Sequence, residues 1–394
     1  MGIARTINIE DIRLLAKRRL PRITFDFADG GVEDETALAR NRDAFQRYRL
    51  VPRYLIDVSA RSQATTLFGR RYASPFGIAP MGVTGFFRPG ADLMLARAAA
   101  EADVPYIMSS ASCDRLEDAV AIAPETTWFQ LYGTKNPRIN EDLVQRAQNA
   151  GVPVLIFTLD TPVMAKRERN MRNGYRRPMK MTAGVILQGL AAPAWTWRYL
   201  RSGGIPLMQN WQPYAAPGAT ANEVANLFGS ETPAPAQTWA VLEAIRKQWR
   251  GPLVAKGVLH PADAKHCADI GVDGIIVSNH GGRQLDSVPS PMDMLPSIVS
   301  EVRGRTEILI DGGFRRGSDI VKALCLGANA ALFGRPAIFG AAAAGPAGAK
   351  RVLDIFRGEI DLVMGQMGAT GVEQLGPEHL FDTGLGRLLA PEAL

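Results

Sequence analysis

Cysteine, histidine and long apolar runs are all scarce in this sequence. The three cysteines, Cys113, Cys267 and Cys325, lie far apart, are odd in number and fit no metal-binding spacing. That argues against a disulfide framework and against a metal site; they read as small buried hydrophobes of a reducing compartment. No stretch reaches the roughly 20 apolar residues of a spanning helix. The opening MGIARTINIEDIRLLAKRRLPRI lacks the apolar core of a signal peptide. A cytoplasmic location is expected, soluble or peripheral on the inner face of the cytoplasmic membrane. Acidic residues are the minority: 39 against 45 Lys and Arg, a net charge of +6. The basic residues are scattered, with local clusters at Lys17–Arg22 and Lys166–Lys180. No nucleic-acid-binding module accompanies them, so the charge points instead to an anionic substrate or membrane surface.

Glycine is abundant, at 39 residues in a chain that is 46% hydrophobic. Ile9, Ile12, Leu15 and Ala16 share one face of a helix over Asn8–Leu20, which Pro21 ends. Glu33–Tyr48 also reads as helix. Short apolar runs then alternate with amphipathic segments: FGIAP from Phe76, PYIMS from Pro105, TWFQL from Thr127, PVLIFT from Pro153, PLVAK from Pro252, GIIVS from Gly274, EILID from Glu307, and Ala330–Gly334. Eight buried strands alternating with helices predict an α/β protein, a parallel (β/α)8 TIM barrel; a doubly wound open sheet fits the count of eight less well. The expected layout is one domain over 1–394, with an N-terminal helical cap over 1–72 and the barrel over 73–380. One long insertion, about 175–237, falls between strands four and five and carries Trp195, Trp197, Trp211, Tyr214, Arg198 and Arg201. A lid, a membrane-contacting segment or an ordinary packed insertion would each fit it.

Barrel active sites form at the C-terminal strand ends. There the sequence offers Pro80 and Gly82, then Ser109, Gln130 with Tyr132, Thr158 with Asp160, Lys256, Ser278 with His280, Asp311 with Gly313, and Gly334 with Arg335. After strand seven, DGGFRRGS opens a helix and includes Arg315; after strand eight comes Gly334-Arg335. Glycine amides, a helix N-terminus and arginines in these two loops suit a phosphate. In SNHGGRQLD, from Ser278, a histidine precedes Arg283 by three residues. An imidazole suits proton abstraction near neutral pH, and the arginine suits a carboxylate. Asp160 is a candidate to orient the imidazole.

SNHGGRQLD, with DGGFRRGSD from Asp311, FQLY from Phe129 and LDTP from Leu159, closely resembles the FMN-dependent 2-hydroxy-acid oxidase and dehydrogenase family, whose members act on glycolate, L-lactate and (S)-mandelate. The likeness runs from about residue 7 to 380 and is weakest over 175–238. It implies FMN-dependent oxidation of a lactate-like or mandelate-like (S)-2-hydroxy acid to the 2-oxo acid. The implied catalytic residues are His280 as base, Asp160 as its partner, Arg283 and Arg167 on the substrate carboxylate, and Tyr132 at the hydroxyl or oxo group. For the cofactor it implies Gln130, Thr158, Lys256 and Ser278 at the ring or ribityl chain, Pro80, Gly82 and Ser109 lining the flavin, Asp311 on the ribityl chain, and Gly313, Arg315, Gly334 and Arg335 on the phosphate. Electrons would pass to a quinone, a cytochrome or oxygen, the assembly would be a homotetramer, and the insertion would touch a membrane. Whether the hydroxyl or the Cα proton moves to His280 is left open.

Three positions depart from the family pattern. Phe27 replaces a tyrosine whose hydroxyl would reach the carboxylate, so either another group compensates or the carboxylate is held differently. Ala111 replaces a tryptophan and leaves room for a bulky side chain. Gly82 replaces the alanine of oxidases and favours a dehydrogenase. The alternatives are a flavin-binding barrel without turnover, or another FMN barrel enzyme; the latter lacks the His280–Arg283 pairing.

Overall fold

Eight strands close a parallel barrel in the order read from the sequence: β1 (Phe76–Ile78), β2 (Tyr106–Ser109), β3 (Thr127–Tyr132), β4 (Leu155–Thr158), β5 (Leu253–Val258), β6 (Gly274–Val277), β7 (Glu307–Asp311) and β8 (Ala330–Phe333). The structure is a computed structural model that describes residues 2–175 and 181–390; residues 176–180 of the basic cluster predicted over 166–180 lie outside the described residues. Side chains alternate along each strand, so every second residue points into the barrel. Ile107, Trp128, Ile156, Val254, Ile276 and Leu309 form a separate inner core. Two residues further along the same strands stand Ser109, Gln130, Thr158, Lys256, Ser278 and Asp311, all buried. The barrel interior is therefore apolar below and polar at its C-terminal mouth. The intervening positions, such as Met108, Phe129 and Phe157, face outward into the larger core shared with the helices.

A hairpin, Thr65–Leu67 with Arg70–Tyr72, supplies Leu67 and Tyr72 to the inner core. Trp128 Nε1 donates to the Tyr72 hydroxyl at 3.1 Å, so the large ring buried inside the barrel keeps its polar atom satisfied.

The helix Ile9–Arg19 buries the predicted Ile9, Ile12, Leu15 and Ala16, and the Asn8 side chain caps it by accepting from the Asp11 amide at 2.8 Å. The helix expected over Glu33–Tyr48 is shorter. Glu35 is left-handed, the helix is Thr36–Asp43, a 3-10 turn covers Ala44–Arg47, and Tyr48–Leu50 pairs antiparallel with Leu380–Asp382. A long-range strand pairing overrides the local helical reading there. The insertion is folded into the helices Ala183–Leu190, Pro193–Arg201 and Ala221–Glu231. Trp195 and Trp211 are buried in it, while Trp197 remains 64% exposed.

The Thr36–Asp43 helix has no cap from its own side chains. Asp286, in the loop after β6, supplies one from outside: its carboxylate accepts from the Ala37 amide at 2.8 Å, the Thr36 amide at 3.1 Å and the Thr36 hydroxyl at 2.9 Å. Burial pushes this carboxyl up, but the bonds from Ala37 and Thr36 outweigh burial and hold it below its usual range. Asp286→Ala should lower unfolding stability by about 1–3 kcal/mol in urea melts. A depressed folded-state pKa stabilises above the unfolded value. The difference from wild type should therefore be full at neutral pH and vanish as pH falls through the folded-state value, below 3.8.

Candidate active site

The mouth of the barrel opens into a cavity of about 560 Å³. Phe27, Pro80, Gly82, Ala111, Tyr132, Thr158, Arg167, Lys256, His280, Arg283, Asp311, Gly313, Arg315, Gly334 and Arg335 all line it. The sequence-predicted residues therefore converge, with four exceptions that stand behind the lining and bond to it. Asp160 lies behind His280. Ser109 donates to Gln130 Oε1 at 2.7 Å, and Gln130 Nε2 donates to Thr158 Oγ1 at 2.9 Å, a chain across β2, β3 and β4. Ser278 Oγ accepts from Lys256 Nζ at 2.9 Å and from the His280 amide at 3.0 Å.

His280 Nδ1 lies 2.9 Å from Asp160 Oδ1, and the imidazole is 16% exposed. Burial lowers the imidazole pKa most; Asp160 opposes this, and Lys256 and Arg167 reinforce it, leaving His280 below its ordinary value. It is therefore neutral at pH 7, the protonation state of a base. Burial would raise Asp160, but His280 and Lys256 hold it below the usual carboxylate value, so it stays an anion facing the imidazole.

Lys256 Nζ pairs with Asp311 Oδ2 at 2.9 Å deep in the cavity. Burial acts against the ammonium, yet Asp311 and Asp160 together raise its pKa. The arginines differ. Burial lowers Arg283 well below its usual value, and the nearby Arg167 and Arg335 add to the effect. Burial, with repulsion from Arg335 and Arg42, brings Arg315 down to about 9. Arg335 falls to about 10, by burial and by the charge of Arg167 against the opposing Asp29. Arg283 Nη1 donates to the carbonyls of Phe27 and Gly30, both at 2.9 Å. Arg335 donates to the carbonyls of Ala28, Gly30 and Gly281. The N-terminal cap is thus drawn onto the mouth by the site's own arginines.

Several residues at the site escaped the sequence reading. Gly257 has φ +98°, and the pairing of β5 with β6 slips between Lys256 and Val258. A Cβ on Gly257 would stand 2.5 Å from Asp160 Cγ, so only glycine lets the carboxylate reach His280. Gln284 donates to the Asp160 carbonyl at 3.1 Å and accepts from Arg167 Nη2 at 3.1 Å, linking the two loops. Tyr175 lines the cavity, its ring stacked on Phe27 at 4.6 Å. Gly257 follows a strand-end lysine and Gln284 sits within the SNHGGRQLD run, signals that sequence reading could have used; Tyr175, in the insertion, gave none.

The model of the FMN-dependent dehydrogenase family matches residues 16–382. The chain belongs to this family. It is an FMN-dependent oxidoreductase. Among relatives, (S)-mandelate dehydrogenase of Pseudomonas putida is 39% identical over 378 residues, covering 96% of this chain and 94% of that protein. L-lactate dehydrogenase of Caulobacter vibrioides is 40% identical over 372 residues, covering 94% and 97%. A crystal structure of the monotopic membrane protein (S)-mandelate dehydrogenase superposes with a TM-score of 0.92 at 39% identity, covering 96% of this chain and all of that one.

The cavity fits the family's cofactor on its own chemistry. Asp311 Oδ1 and Arg315 Nε are buried without partners, one an acceptor and one a donor. Gly312 and Gly313 hold φ of +104° and +89°, and a Cβ on Gly313 would meet the Asn41 backbone at 2.0 Å. A hydroxylated chain ending in a phosphate satisfies both orphans and the cationic wall.

Gly257→Ala should leave FMN content and the far-UV spectrum intact while displacing Asp160. Turnover should fall by about 10²-fold or more, the scale of losing the carboxylate that orients an imidazole. Wild-type turnover in this variant would show that Gly257 does not position the carboxylate.

Proposed function

We propose that this protein oxidises an (S)-2-hydroxy acid, mandelate-like or lactate-like, to its 2-oxo acid, with His280 as the base. The observation carrying this reading is the His280–Asp160 pair at 2.9 Å, with the imidazole lining the same cavity as Arg283 and Arg167. The substrate carboxylate docks on the two arginines, and Tyr132, whose ring lies 6.3 Å from that of His280, meets the hydroxyl or oxo group. With Nδ1 bonded to Asp160, Nε2 is the nitrogen that takes the proton, and Asp160 stabilises the imidazolium that forms. The proton is that of the hydroxyl or of Cα. Bound FMN supplies the two-electron acceptor.

For the cofactor, Gly313, Arg315, Gly334 and Arg335 hold the phosphate and Asp311 the ribityl chain. Pro80, Gly82, Ser109, Gln130, Thr158 and Ser278 shape the flavin's surroundings, and Lys256 offers negative charge a fixed cation. Ala111 is small and its Cβ would stand 3.0 Å from one on Gly82; we take this corner as space reserved for substrate and favour the bulkier acid. The final acceptor is a quinone or oxygen, with Gly82 favouring a dehydrogenase. The chain works as one domain.

We further propose peripheral attachment to the inner face of the cytoplasmic membrane. No helix among the described residues is long and apolar enough to cross a membrane. Ile186, Leu187, Leu190, Trp197 and Leu200 are nonetheless exposed together on two insertion helices, beside Arg198 and Arg201, a composition suited to an anionic interface. The working form is taken as a homotetramer, and the exposed run Tyr54, Leu55 and Ile56 suits contact between copies.

Anaerobic addition of (S)-mandelate, L-lactate and glycolate to the purified holoenzyme should bleach the flavin bands with at least one acid. Bands that no acid bleaches would refute the substrate reading. His280→Ala should keep FMN but slow reduction by about 10²–10⁴-fold; fast reduction would remove His280 as base. Because the imidazole pKa lies below its ordinary 6.5, kcat/KM should be flat at neutral pH and fall only on the acid side of that value. In flotation assays the protein should follow anionic vesicles, and Leu187→Asp with Trp197→Asp should abolish this; unchanged flotation would exclude the two helices as the contact.

A further inference from the structure

The positive end of the cavity has more guanidinium charge than its fixed partners balance, and part of that donor set is spent on backbone carbonyls. Arg283 Nη1 is already committed to the carbonyls of Phe27 and Gly30, each at 2.9 Å. The guanidinium lies over the Phe27 ring, 5.3 Å from its centroid, and that ring donates nothing. A carboxylate brings two oxygens with about four lone-pair sites. A neutral hydroxyl next to the cations can serve it without adding to their mutual repulsion. Two phenols line the cavity among the described residues, Tyr132 and Tyr175. Tyr132 stands on the His280 side. Tyr175 stands on the arginine side: its ring stacks on Phe27 at 4.6 Å with the planes 25° apart.

The approach of Tyr175 is built into the chain. The short helix Glu168–Arg172 leads to it, and the Tyr175 amide donates to the Asn170 carbonyl at 3.0 Å. Arg169 ties that helix to Asp29 at 3.2 Å and to Glu35, and Asn173 bonds Asp26. The insertion side of the mouth is thus fastened to the N-terminal cap beside Phe27, which fixes where the phenol is delivered. Phe86 adds a further ring contact at 5.9 Å.

We propose that the Tyr175 hydroxyl donates a hydrogen bond to the substrate carboxylate beside Arg283, making Tyr175 a substrate-binding residue held by its stack on Phe27. This rests on the hydroxy-acid reading above. The partner is the carboxylate common to substrate and product, so the residue sets preference for acids over neutral analogues.

The test uses holoenzyme and phenylglyoxylate, the 2-oxo acid of mandelate, with its methyl ester as the neutral counterpart; pyruvate and its ester replace them where lactate reduces the flavin faster. Tyr175→Phe keeps the stack and removes the hydroxyl. It should weaken binding of the oxo acid, read from the flavin absorbance, by about 10- to 100-fold, the scale of one bond to a charged group. Binding of the ester should change little, KM for the hydroxy acid should rise with the oxo-acid Kd, and kcat should fall less. Tyr175→Leu should lose the stack as well and weaken both ligands. Wild-type affinity and acid-to-ester preference in Tyr175→Phe, with loss confined to Tyr175→Leu, would reduce Tyr175 to packing and overturn the proposal. A wild-type holoenzyme that neither binds the oxo acid nor is reduced by any hydroxy acid would overturn the functional reading itself, and this inference with it.

Discussion

Among the described residues, five cationic side chains, Arg167, Lys256, Arg283, Arg315 and Arg335, line one cavity against a single lining carboxylate, Asp311, with Asp160 behind His280. Removing charge from water is expensive unless it is paired. The protein meets that cost in two ways. Lys256 receives a direct partner, Asp311, at 2.9 Å, and its pKa rises despite burial. Arg283, Arg315 and Arg335 instead bond backbone carbonyls, and burial with repulsion from neighbouring arginines brings their pKa values down. A site left in this state favours anions, and FMN carries one in its phosphate. An anion bound there contributes to the stability of the closed site as well as occupying it.

The same arginines explain why the N-terminal cap is part of the active site. The carbonyl partners of Arg283 and Arg335 are Phe27, Ala28 and Gly30, together with Gly281 of the loop after β6. Backbone bonds and side-chain amides complete the closure: the Val32 amide donates to the Gly282 carbonyl at 3.0 Å, and Asn41 and Asn279 exchange amide bonds at 2.7 Å in both directions. A Cβ at Gly282 would meet the Leu38 amide nitrogen at 2.7 Å. The cap therefore sits at backbone distance from the loops that carry His280 and Arg283.

The barrel was legible because its signal is strong and local. Each strand is a short apolar run, and the two-residue period carries Trp128 to Gln130, Val254 to Lys256 and Leu309 to Asp311, so the polar strand ends could be read directly. His280 and Arg283 were visible from their spacing in a glycine-rich loop. What sequence alone did not reveal depends on contacts distant in the chain. Tyr48–Leu50 is a strand only because Leu380–Asp382 lies alongside. Trp195 and Trp211 offered themselves as interfacial anchors, but they pack inward, Trp195 donating to the Phe86 carbonyl at 3.0 Å and Trp211 resting on Phe228 at 5.0 Å. Trp197 and Leu200 of the Trp195 helix, with Ile186, Leu187 and Leu190 of the helix before it, take the exposed positions. Composition can name the residue types of a surface segment, whereas the face each presents is set by its neighbours.

The loop that carries His280 shows how the site obtains its precision. His280, Gly281 and Gly282 hold φ of +57°, +65° and +71°, three left-handed residues in succession. Two are glycines, for which this region carries no steric penalty. His280 is not, and a side chain there costs of order 1 kcal/mol or more. Such a conformation persists only where its surroundings over-determine it. Here the His280 amide bonds Ser278 Oγ, its imidazole bonds Asp160, the Gly281 carbonyl accepts from Arg335 and the Gly282 carbonyl accepts from Val32. Every one of these partners comes from a different part of the fold: β6's own end, the loop after β4, the start of the helix after β8, and the cap. The histidine is therefore set by the closure of the whole mouth, and a disturbance in the cap or at β8 would reach the imidazole through the strained turn.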